Sequence, residues 1–219
     1  MGKVIDLQEL DKIFKDEMRI MIGGFLDCGT AETVLAYINK FDLHSLTIIV
    51  NDAGYKYKSK GKFLATADIN KIITSHIGTN PDVGAKMNSG EIDIELIPQG
   101  TLVEQIRAHG AGLGGILTPT GIGTKAEEGK KIIEVEGEKH ILATPIGADV
   151  AIIKAWKADK SGNLIYRYSA KNFNPIMAMA ADTVIAEVEN IVENGELDNN
   201  NIMTSNIFVD YLVESKSDN

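Results

Sequence analysis

Glycine-rich segments next to predicted strand ends are the first candidates for a ligand site in this sequence. The apolar run at residues 20–22 leads directly into residues 23–29, which precede a predicted helix. Glycine adopts positive φ without strain and lets another molecule approach the backbone closely, and helix N-terminal amides attract anions. The segment consists of Gly23, Gly24, Phe25, Leu26, Asp27, Cys28 and Gly29. It lacks the Gly-x-Gly-x-x-Gly pattern of dinucleotide sites, and a tight turn without a ligand explains the spacing equally well.

Two further segments have a composition that suits a ligand. Gln99, Gly100 and Thr101 follow a predicted strand, and the side-chain amide of a glutamine offers both donors and an acceptor. Residues 110–124 are rich in Gly, Thr and Pro, and long loops of this kind inside a domain are often functional. The alternatives are an ordinary turn for the first segment and a flexible linker for the second. The apolar residues Leu113 and Ile116 make a fully solvated linker the weaker interpretation.

Single reactive side chains give weaker signals. Cys28 lies close to a predicted helix N-terminus, where the pKa of a thiol can fall, but the packing of a small residue explains it better. Glu193 precedes Asn194 and Gly195, a pair that commonly ends a segment. Four histidines lack the spacing of metal ligands, so we predict no metal site. They are His44, His76, His109 and His140.

A row of lysines alternates at the period of a strand. Its members are Lys56, Lys58, Lys60 and Lys62. Such a row can contact phosphate groups, but more often it forms a solvated face. Both interpretations stay open from the sequence, and we favour the solvated face.

The composition excludes several classes of protein. The chain has 22 Lys and Arg against 31 Asp and Glu, a formal net charge of −9, which argues against a nucleic-acid-binding protein. Its single cysteine cannot form an internal disulfide, so a reducing compartment is the simpler expectation. We see no signal peptide at the N-terminus and no apolar run of the length that a membrane helix needs. We therefore expect a cytoplasmic protein that binds neither nucleic acid nor a membrane.

The elements that would position these residues alternate between strands and helices. Strands are predicted at residues 18–22, 46–50, 71–75, 92–96, 150–155 and 183–188. Thr30 is a predicted helix N-cap, and Thr101 is predicted to cap a helix through a capping box with Glu104. Pro81 and Pro175 each suit the first turn of a helix.

Short β-branched strands separated by helices predict an α/β fold with a single open, mostly parallel sheet flanked by helices. We expect a small β-hairpin as an addition to this sheet, formed by residues 132–135 and 141–142. No linker divides the chain. We therefore predict one domain over residues 1–215 and a polar tail at residues 216–219.

Together these segments resemble the α subunit of the family I coenzyme A transferases of the acetate/butyrate–acetoacetate type. The family signature places an apolar triplet before Gly-Gly-Phe and a further glycine four positions after the phenylalanine. The matching residues are Asp16, Ile20, Met21, Ile22, Gly23, Gly24, Phe25 and Gly29. The chain departs from the signature at Glu17 and at Ala31. The family usually has proline at the position of Ala31. The similarity continues through residues 75–81, 98–102, 169–175 and 207–210 and covers nearly the whole chain.

The resemblance implies an enzyme that moves coenzyme A between a short-chain acyl-CoA, such as acetyl-, butyryl- or acetoacetyl-CoA, and a free carboxylate. In the family, a glutamate of the β subunit attacks the thioester and becomes a glutamyl-CoA thioester, so no catalytic residue is expected in this chain. Residues 23–29 would bind coenzyme A, and Gln99, Gly100 and Thr101 would form the wall that faces the reacting carboxylate. Coenzyme A would be a substrate, with no tightly bound cofactor. The partner would be a β subunit in an α2β2 assembly, and the chain would be active only with that subunit.

Two other functions stay open at this stage. One is a non-catalytic protein that binds or senses CoA metabolites through the same glycine segments. The other is an enzyme similar to the sugar-phosphate isomerases, built on a related α/β scaffold. An active-site glutamate on a neighbouring β-type subunit would distinguish the transferase from both.

Overall fold

Eleven strands and five α-helices make up the fold in the computed structural model, which describes residues 3–216. The strands are β1 (Arg19–Ile22), β2 (Leu46–Val50), β3 (Ile69–Thr74), β4 (Asp93–Leu96), β5 (Ile116–Thr118), β6 (Lys131–Val135), β7 (Glu138–Ala143), β8 (Ala148–Asp159), β9 (Leu164–Ile165), β10 (Ala181–Val192) and β11 (Tyr211–Glu214). The helices are α1 (Glu32–Ile38), α2 (Ser59–Thr66), α3 (Pro81–Ser89), α4 (Gln99–Gly110) and α5 (Asn174–Ala178). Short 3-10 helices lie at Leu7–Lys12, Lys125–Glu127, Tyr168–Lys171, Asn199–Asn201 and Asn206–Phe208.

The main sheet has the strand order β11-β10-β8-β1-β2-β3-β4, and neighbouring strands along this path are parallel. The short strand β9 adds to β8 in the antiparallel direction. The chain winds outward from β1 to β4 and then continues on the other side of β1 with β8, so the winding direction reverses between β1 and β8. Ligands of open α/β sheets bind beyond the carboxyl ends of the strands at such a reversal. The predicted fold class, an open and mostly parallel sheet flanked by helices, is confirmed.

The strand sequences are apolar because both faces of the sheet are covered. In β2, Ile48 and Val50 point into a core shared with α1, α2 and α3, while Ile49 points into a core shared with α4 and α5. β1 divides in the same way, with Ile22 on the first side and Met21 on the second. The sheet therefore carries one core on each face and presents its carboxyl edge between the two layers of helices.

The predicted hairpin is present, and a third strand extends it. β6 and β7 pair with each other, and β5 pairs with β7 so that Ile116 lies opposite Ala143. β5 belongs to the glycine-rich segment 110–124, which is therefore not a flexible linker. Three antiparallel strands form a small second sheet in the order β5-β7-β6.

The helix starts differ from the predicted caps at two positions. α1 begins at Glu32 with Ala31 as its N-cap, and the hydroxyl of Thr30 donates instead to the carbonyl of Leu26 at 3.1 Å. α4 begins two residues before Thr101, because the extended backbone of Pro98 starts the helix there. Thr101 is thus a residue of the first helical turn, and the capping-box prediction is wrong.

The last described residue, Lys216, contacts α1. Of the predicted polar tail, residues 217–219 lie outside the described residues. The backbone N–H of Lys216 donates to the hydroxyl of Thr33 at 3.0 Å. Between residues 3 and 216, no helix is long and apolar enough to cross a membrane.

Two helical glycines provide a matched test of the packing. A Cβ at Gly61 in α2 would lie 2.1 Å from the backbone oxygen of Tyr55, whereas a Cβ at Gly84 in α3 would meet nothing within 4 Å. We expect Gly61→Ala to lower the free energy of unfolding by about 1–3 kcal/mol, because backbone must move to relieve the overlap. Gly84→Ala should raise it by about 0.5–1 kcal/mol, because alanine is the better helix former. Urea unfolding of both variants measures these values, and equal effects of the two substitutions would contradict this packing of α2.

Candidate functional site

A cleft of about 1180 Å³ opens at the carboxyl edge of the sheet, next to the reversal between β1 and β8. Its floor is formed by β8 and β10, which extend well beyond the end of β1. One wall is α1, and another is the segment that contains Tyr168 and Ala170. Asp27, Cys28 and Gly29 of the predicted coenzyme A segment line the cleft between these walls. We call residues 23–29 the glycine loop.

The glycine loop is a tight turn. Phe25 and Cys28 exchange backbone hydrogen bonds of 3.0 and 2.9 Å, which closes the turn. Leu26, at its tip, has a φ of +51°, a conformation that is costly for a side chain of this size and that persists only where the surroundings hold it. The N–H groups of Asp27 and Gly29 have no acceptor among the residues that the structure describes. Asp27 and Gly29 both line the cleft.

The buried carboxylate of Asp52 fixes the tip of this loop. Asp52 follows β2, is 2% exposed, and accepts a 2.8 Å hydrogen bond from the backbone N–H of Leu26. It also accepts hydrogen bonds of 2.8 Å from the side chain of Asn51 and from the N–H of Gly54. Burial favours the neutral acid, but Lys60 and the N–H donors outweigh burial and hold the pKa of Asp52 below its usual value.

Lys60 is the counter-ion of Asp52. Its Nζ lies 2.9 Å from Oδ1 of Asp52, and the lysine is 1% exposed. No further hydrogen-bond partner of this ammonium is present within residues 3–216. Burial lowers the pKa of Lys60, and the attraction of Asp52 opposes that shift only in part. The sequence analysis did not find this pair, and the one available signal is an aspartate two residues after a buried strand.

The four lysines at residues 56–62 do not lie on a strand. Residues 59–66 form helix α2, which turns Lys60 into the core while Lys58 and Lys62 stay exposed. Lys56 forms an ion pair of 2.8 Å with Asp82. The predicted solvated face is wrong for Lys60, because a helical period of 3.6 residues cannot keep alternate residues on one side.

Asn174 is a second anchor of the glycine loop. This asparagine is fully buried. Its Nδ2 donates to the carbonyls of Gly29 and Ala170 at 3.0 and 2.7 Å, and its Oδ1 accepts from the N–H of Lys154 at 3.1 Å. A Cβ at Gly23 would lie 1.9 Å from the same Oδ1. Gly23 is required here by the close approach of Asn174, since its own φ is not in the positive range.

A buried ion pair also lies in the floor of the cleft. Lys154 of β8 donates to Glu187 of β10 at 2.8 Å and to the hydroxyl of Ser215 at 2.6 Å. Glu187 is fully buried and accepts a further hydrogen bond of 3.0 Å from the backbone N–H of Val34 in α1. These contacts join β8, β10 and α1 beneath the cleft. Nothing in the local sequence pattern singled out this cluster.

Gln99, Gly100 and Thr101 lie elsewhere on the carboxyl edge. They form the first turn of α4, with Gln99 and Gly100 exposed to solvent. Thr101 lines a second cavity, of about 290 Å³, between β4, α4 and the three-stranded sheet. We call this cavity the α4 pocket. Because α4 and α1 cover opposite faces of the main sheet, Thr101 and the glycine loop do not share a cavity.

The remaining predicted residues take ordinary positions. Cys28 is exposed, with its sulfur 3.0 Å from the hydroxyl of Ser169. His44 forms a 3.0 Å contact with Asp68, which raises the pKa of the imidazole. Glu193 follows the end of β10 and pairs with Lys160 on the surface. Within residues 3–216, no group of three or more His, Cys, Asp or Glu side chains is placed to hold a metal ion.

Comparison with known proteins matches this chain to a protein family. The family model described as coenzyme A transferase matches residues 6–215. The acetoacetyl-CoA:acetate/butyrate CoA transferase alpha subunit of Clostridium acetobutylicum is 47% identical over 213 residues, which are 97% of this chain and 98% of that protein. The acetate CoA-transferase subunit alpha of Escherichia coli K12 is 44% identical over 98% of this chain and 97% of its own length.

A solved structure agrees with the fold. The acyl-CoA transferase from Escherichia coli O157:H7, in a thioester complex with CoA, matches with a TM-score of 0.85 at 21% identity. The match covers all of this chain and 48% of that chain. At this level of identity the likeness concerns the fold, and this chain corresponds to about half of the longer protein.

The buried pair can be tested by removing its cation. We expect Lys60→Met to lower the free energy of unfolding by about 3–5 kcal/mol, because Asp52 is then left as an uncompensated buried charge. Lys62→Met, two residues away and exposed, should change it by less than about 0.5 kcal/mol. The double variant Lys60→Met, Asp52→Asn should recover part of the loss, since no charge remains buried. Urea unfolding at neutral pH measures all three, and an equal loss for Lys60→Met and Lys62→Met would contradict the ion pair.

Proposed function

We propose, because this chain belongs to the coenzyme A transferase family, that it is the α subunit of an enzyme that moves coenzyme A between a short-chain acyl-CoA and a free carboxylate. The proposal is carried by the cleft and by the glycine loop that Asp52 and Asn174 hold beside it. They occur in a chain that matches transferase α subunits over nearly its whole length. The two alternatives, a CoA-metabolite sensor and a sugar-phosphate isomerase-like enzyme, are not favoured by these relatives. Acetyl-, butyryl- and acetoacetyl-CoA are the proposed donors.

The proposed reaction exchanges one thioester for another. A glutamate of the β subunit attacks the thioester carbonyl, the C–S bond breaks, and the products are a mixed anhydride and the coenzyme A thiolate. The thiolate attacks the glutamyl carbonyl, which releases the carboxylate and leaves a glutamyl-CoA thioester. The acceptor carboxylate then reverses these two steps. Covalent catalysis of this kind divides one difficult exchange into steps of similar energy.

The glycine loop would contribute binding and electrostatic stabilisation. Coenzyme A is highly anionic, and a chain with a net charge of −9 cannot attract it through its overall field. Local donors must therefore hold it. The free N–H groups of Asp27 and Gly29 at the cleft surface are suited to this task, because Asp52 and Asn174 keep the loop rigid. Fixed donors cost no reorganisation during the reaction.

The first turn of α4 would face the reacting carboxylate. Gln99 and Gly100 are exposed there, and the backbone N–H groups of a first helical turn have no intrahelical acceptor. A carboxylate is a suitable acceptor for such groups. We assign Gln99, Gly100 and Thr101 to the acid side of the proposed site and the glycine loop to the coenzyme A side.

The partner follows from the relatives, which are named α subunits and so imply a β subunit. We propose an α2β2 assembly with the active site at the interface of the two kinds of subunit. Residues 1–215 would act in it as one domain. The proposed location is the cytoplasm, on the grounds of the single cysteine and the substrates.

The proposed roles of the two subunits can be tested by assaying each subunit alone and the two together. We expect the purified chain to show no transfer of coenzyme A from acetyl-, butyryl- or acetoacetyl-CoA to carboxylates, because the attacking glutamate is absent. The chain co-purified with its β-type partner should be active, and the β-type subunit alone should not be. Transfer is followed by chromatography of the acyl-CoA products. Activity of the isolated chain, or a pair that binds coenzyme A without turnover, would contradict the proposal.

The contact between Gly23 and Asn174 gives a second test. We expect Gly23→Ala in the pair to lower kcat/KM for acyl-CoA by roughly 100-fold, because the displaced Asn174 releases the glycine loop from its productive position. Gly114→Ala is the matched control, since a Cβ there meets nothing within 4 Å and its activity should equal that of the unmodified pair. Steady-state kinetics with acetyl-CoA measures both. An unchanged kcat/KM in a folded Gly23→Ala pair would show that the glycine loop is not part of the active site.

A further inference from the structure

Two cations without a counter-ion lie against the tryptophan of the cleft. Trp156 is the only tryptophan of the chain, and it lines the cleft. The guanidinium carbon of Arg167 lies 5.4 Å from the centre of its ring, and the Nζ of Lys157 lies 4.5 Å from the same point. Neither cation forms an ion pair within residues 3–216. Because like charges repel each other, an anion beside this tryptophan would stabilise the arrangement.

A second aromatic ring holds the guanidinium of Arg167. The guanidinium carbon lies 4.7 Å from the centre of the Tyr168 ring, and Nη2 donates to the Tyr168 hydroxyl at 3.0 Å. Arg167 and Tyr168 both line the cleft and are exposed there. A guanidinium that is stacked on aromatic rings is oriented before a ligand arrives, and its planar fork matches the oxygens of a phosphate group. We call Trp156, Arg167 and Tyr168 the arginine stack.

The backbone ties the arginine stack to the glycine loop. Tyr168 has a φ of +51°, a conformation that is rare and costly for an aromatic residue. The residues that follow it contact the loop directly. The hydroxyl of Ser169 lies 3.0 Å from the sulfur of Cys28, and Nδ2 of Asn172 donates to the carbonyl of Cys28 at 3.0 Å. A ligand in the cleft can therefore reach the arginine stack and the glycine loop together.

Carboxylates restrict where an anion can bind in the cleft. Five of them belong to its lining, namely Asp27, Glu32, Glu187, Glu189 and Glu214. Of the cations in the lining, Lys154 is already paired with Glu187. The cleft therefore has no general attraction for anions. An anionic ligand needs a local positive site, and the arginine stack with Lys157 beside it is such a site.

We propose that Arg167, held between Trp156 and Tyr168, binds a phosphate group at the nucleotide end of coenzyme A. The inference rests on the proposed function, in which coenzyme A occupies this cleft. The thioester end of the ligand carries no phosphate, so the contact with Arg167 fixes the end that is remote from the reacting carbonyl. The cleft volume of about 1180 Å³ lies above the usual range for small-molecule sites and leaves room for an extended ligand. Lys157 adds positive charge beside the bound phosphate.

The test uses adenosine 3′,5′-bisphosphate, which carries phosphate groups of the nucleotide end and no thioester. It is added as an inhibitor of the transfer of coenzyme A from acetyl-CoA to butyrate by the co-purified pair of subunits. We expect competitive inhibition against acetyl-CoA in the unmodified pair. Arg167→Gln should raise the inhibition constant by about tenfold or more, because a hydrogen bond between two charged groups is lost, and it should lower kcat/KM for acetyl-CoA. Arg107→Gln replaces an exposed arginine of α4 that does not line the cleft. It is the matched control and should leave the inhibition constant unchanged.

The outcomes separate this inference from the proposed function. An unmodified pair that does not transfer coenzyme A would refute the proposed function itself. An active pair that the bisphosphate does not inhibit, or one whose inhibition constant is the same in Arg167→Gln, would overturn the inference and leave the transferase intact. If Arg167→Gln does not fold, as judged by urea unfolding, Arg167→Met takes its place, and an unchanged inhibition constant in that variant overturns the inference.

Discussion

The carboxylate of Asp52 determines the shape of the glycine loop. It accepts N–H groups from Leu26 on the loop and from Gly54 on its own segment, and it forms the ion pair with Lys60 of α2. A buried charge is stable only when it is paired and hydrogen-bonded, so the loop, the end of β2 and the start of α2 cannot move independently. The positive φ of Leu26 is maintained by this arrangement and not by the residue itself.

Asn174 completes the support from the other side of the strand reversal. It joins the glycine loop to β8 and to the segment at Ala170, and Gly23 lacks a side chain at the point of closest approach. Asn174 directs both ends of its amide to backbone atoms, and Asp52 accepts from the backbone N–H groups of Leu26 and Gly54. A loop held in this way presents its free N–H groups in one geometry, which is the property that electrostatic stabilisation of a developing charge requires.

The two cavities lie on opposite faces of one sheet, and no residue lines both of them. Successive residues of a strand point to opposite faces, so each face of the sheet has its own core. The core on the cleft side includes α1, and the core on the side of the α4 pocket includes α4. In the proposed enzyme, the reactive glutamate of the β subunit would stand beyond the carboxyl edge of this sheet.

Local patterns in the sequence determined the strands and where the glycine loop lies. The β-branched run at residues 46–50 became β2 with the same bounds, and Pro81 begins α3, because side-chain periodicity and the fixed φ of proline act over a few residues. The tertiary structure alone decided which polar groups meet. Asn174 reaches a loop that is 145 residues away. Lys60 enters the core because residues 59–66 form a helix, and Thr101 lines a pocket because Pro98 starts its helix early. Burial and hydrogen-bond pairing depend on neighbours that are distant along the chain, and no local pattern encodes those neighbours.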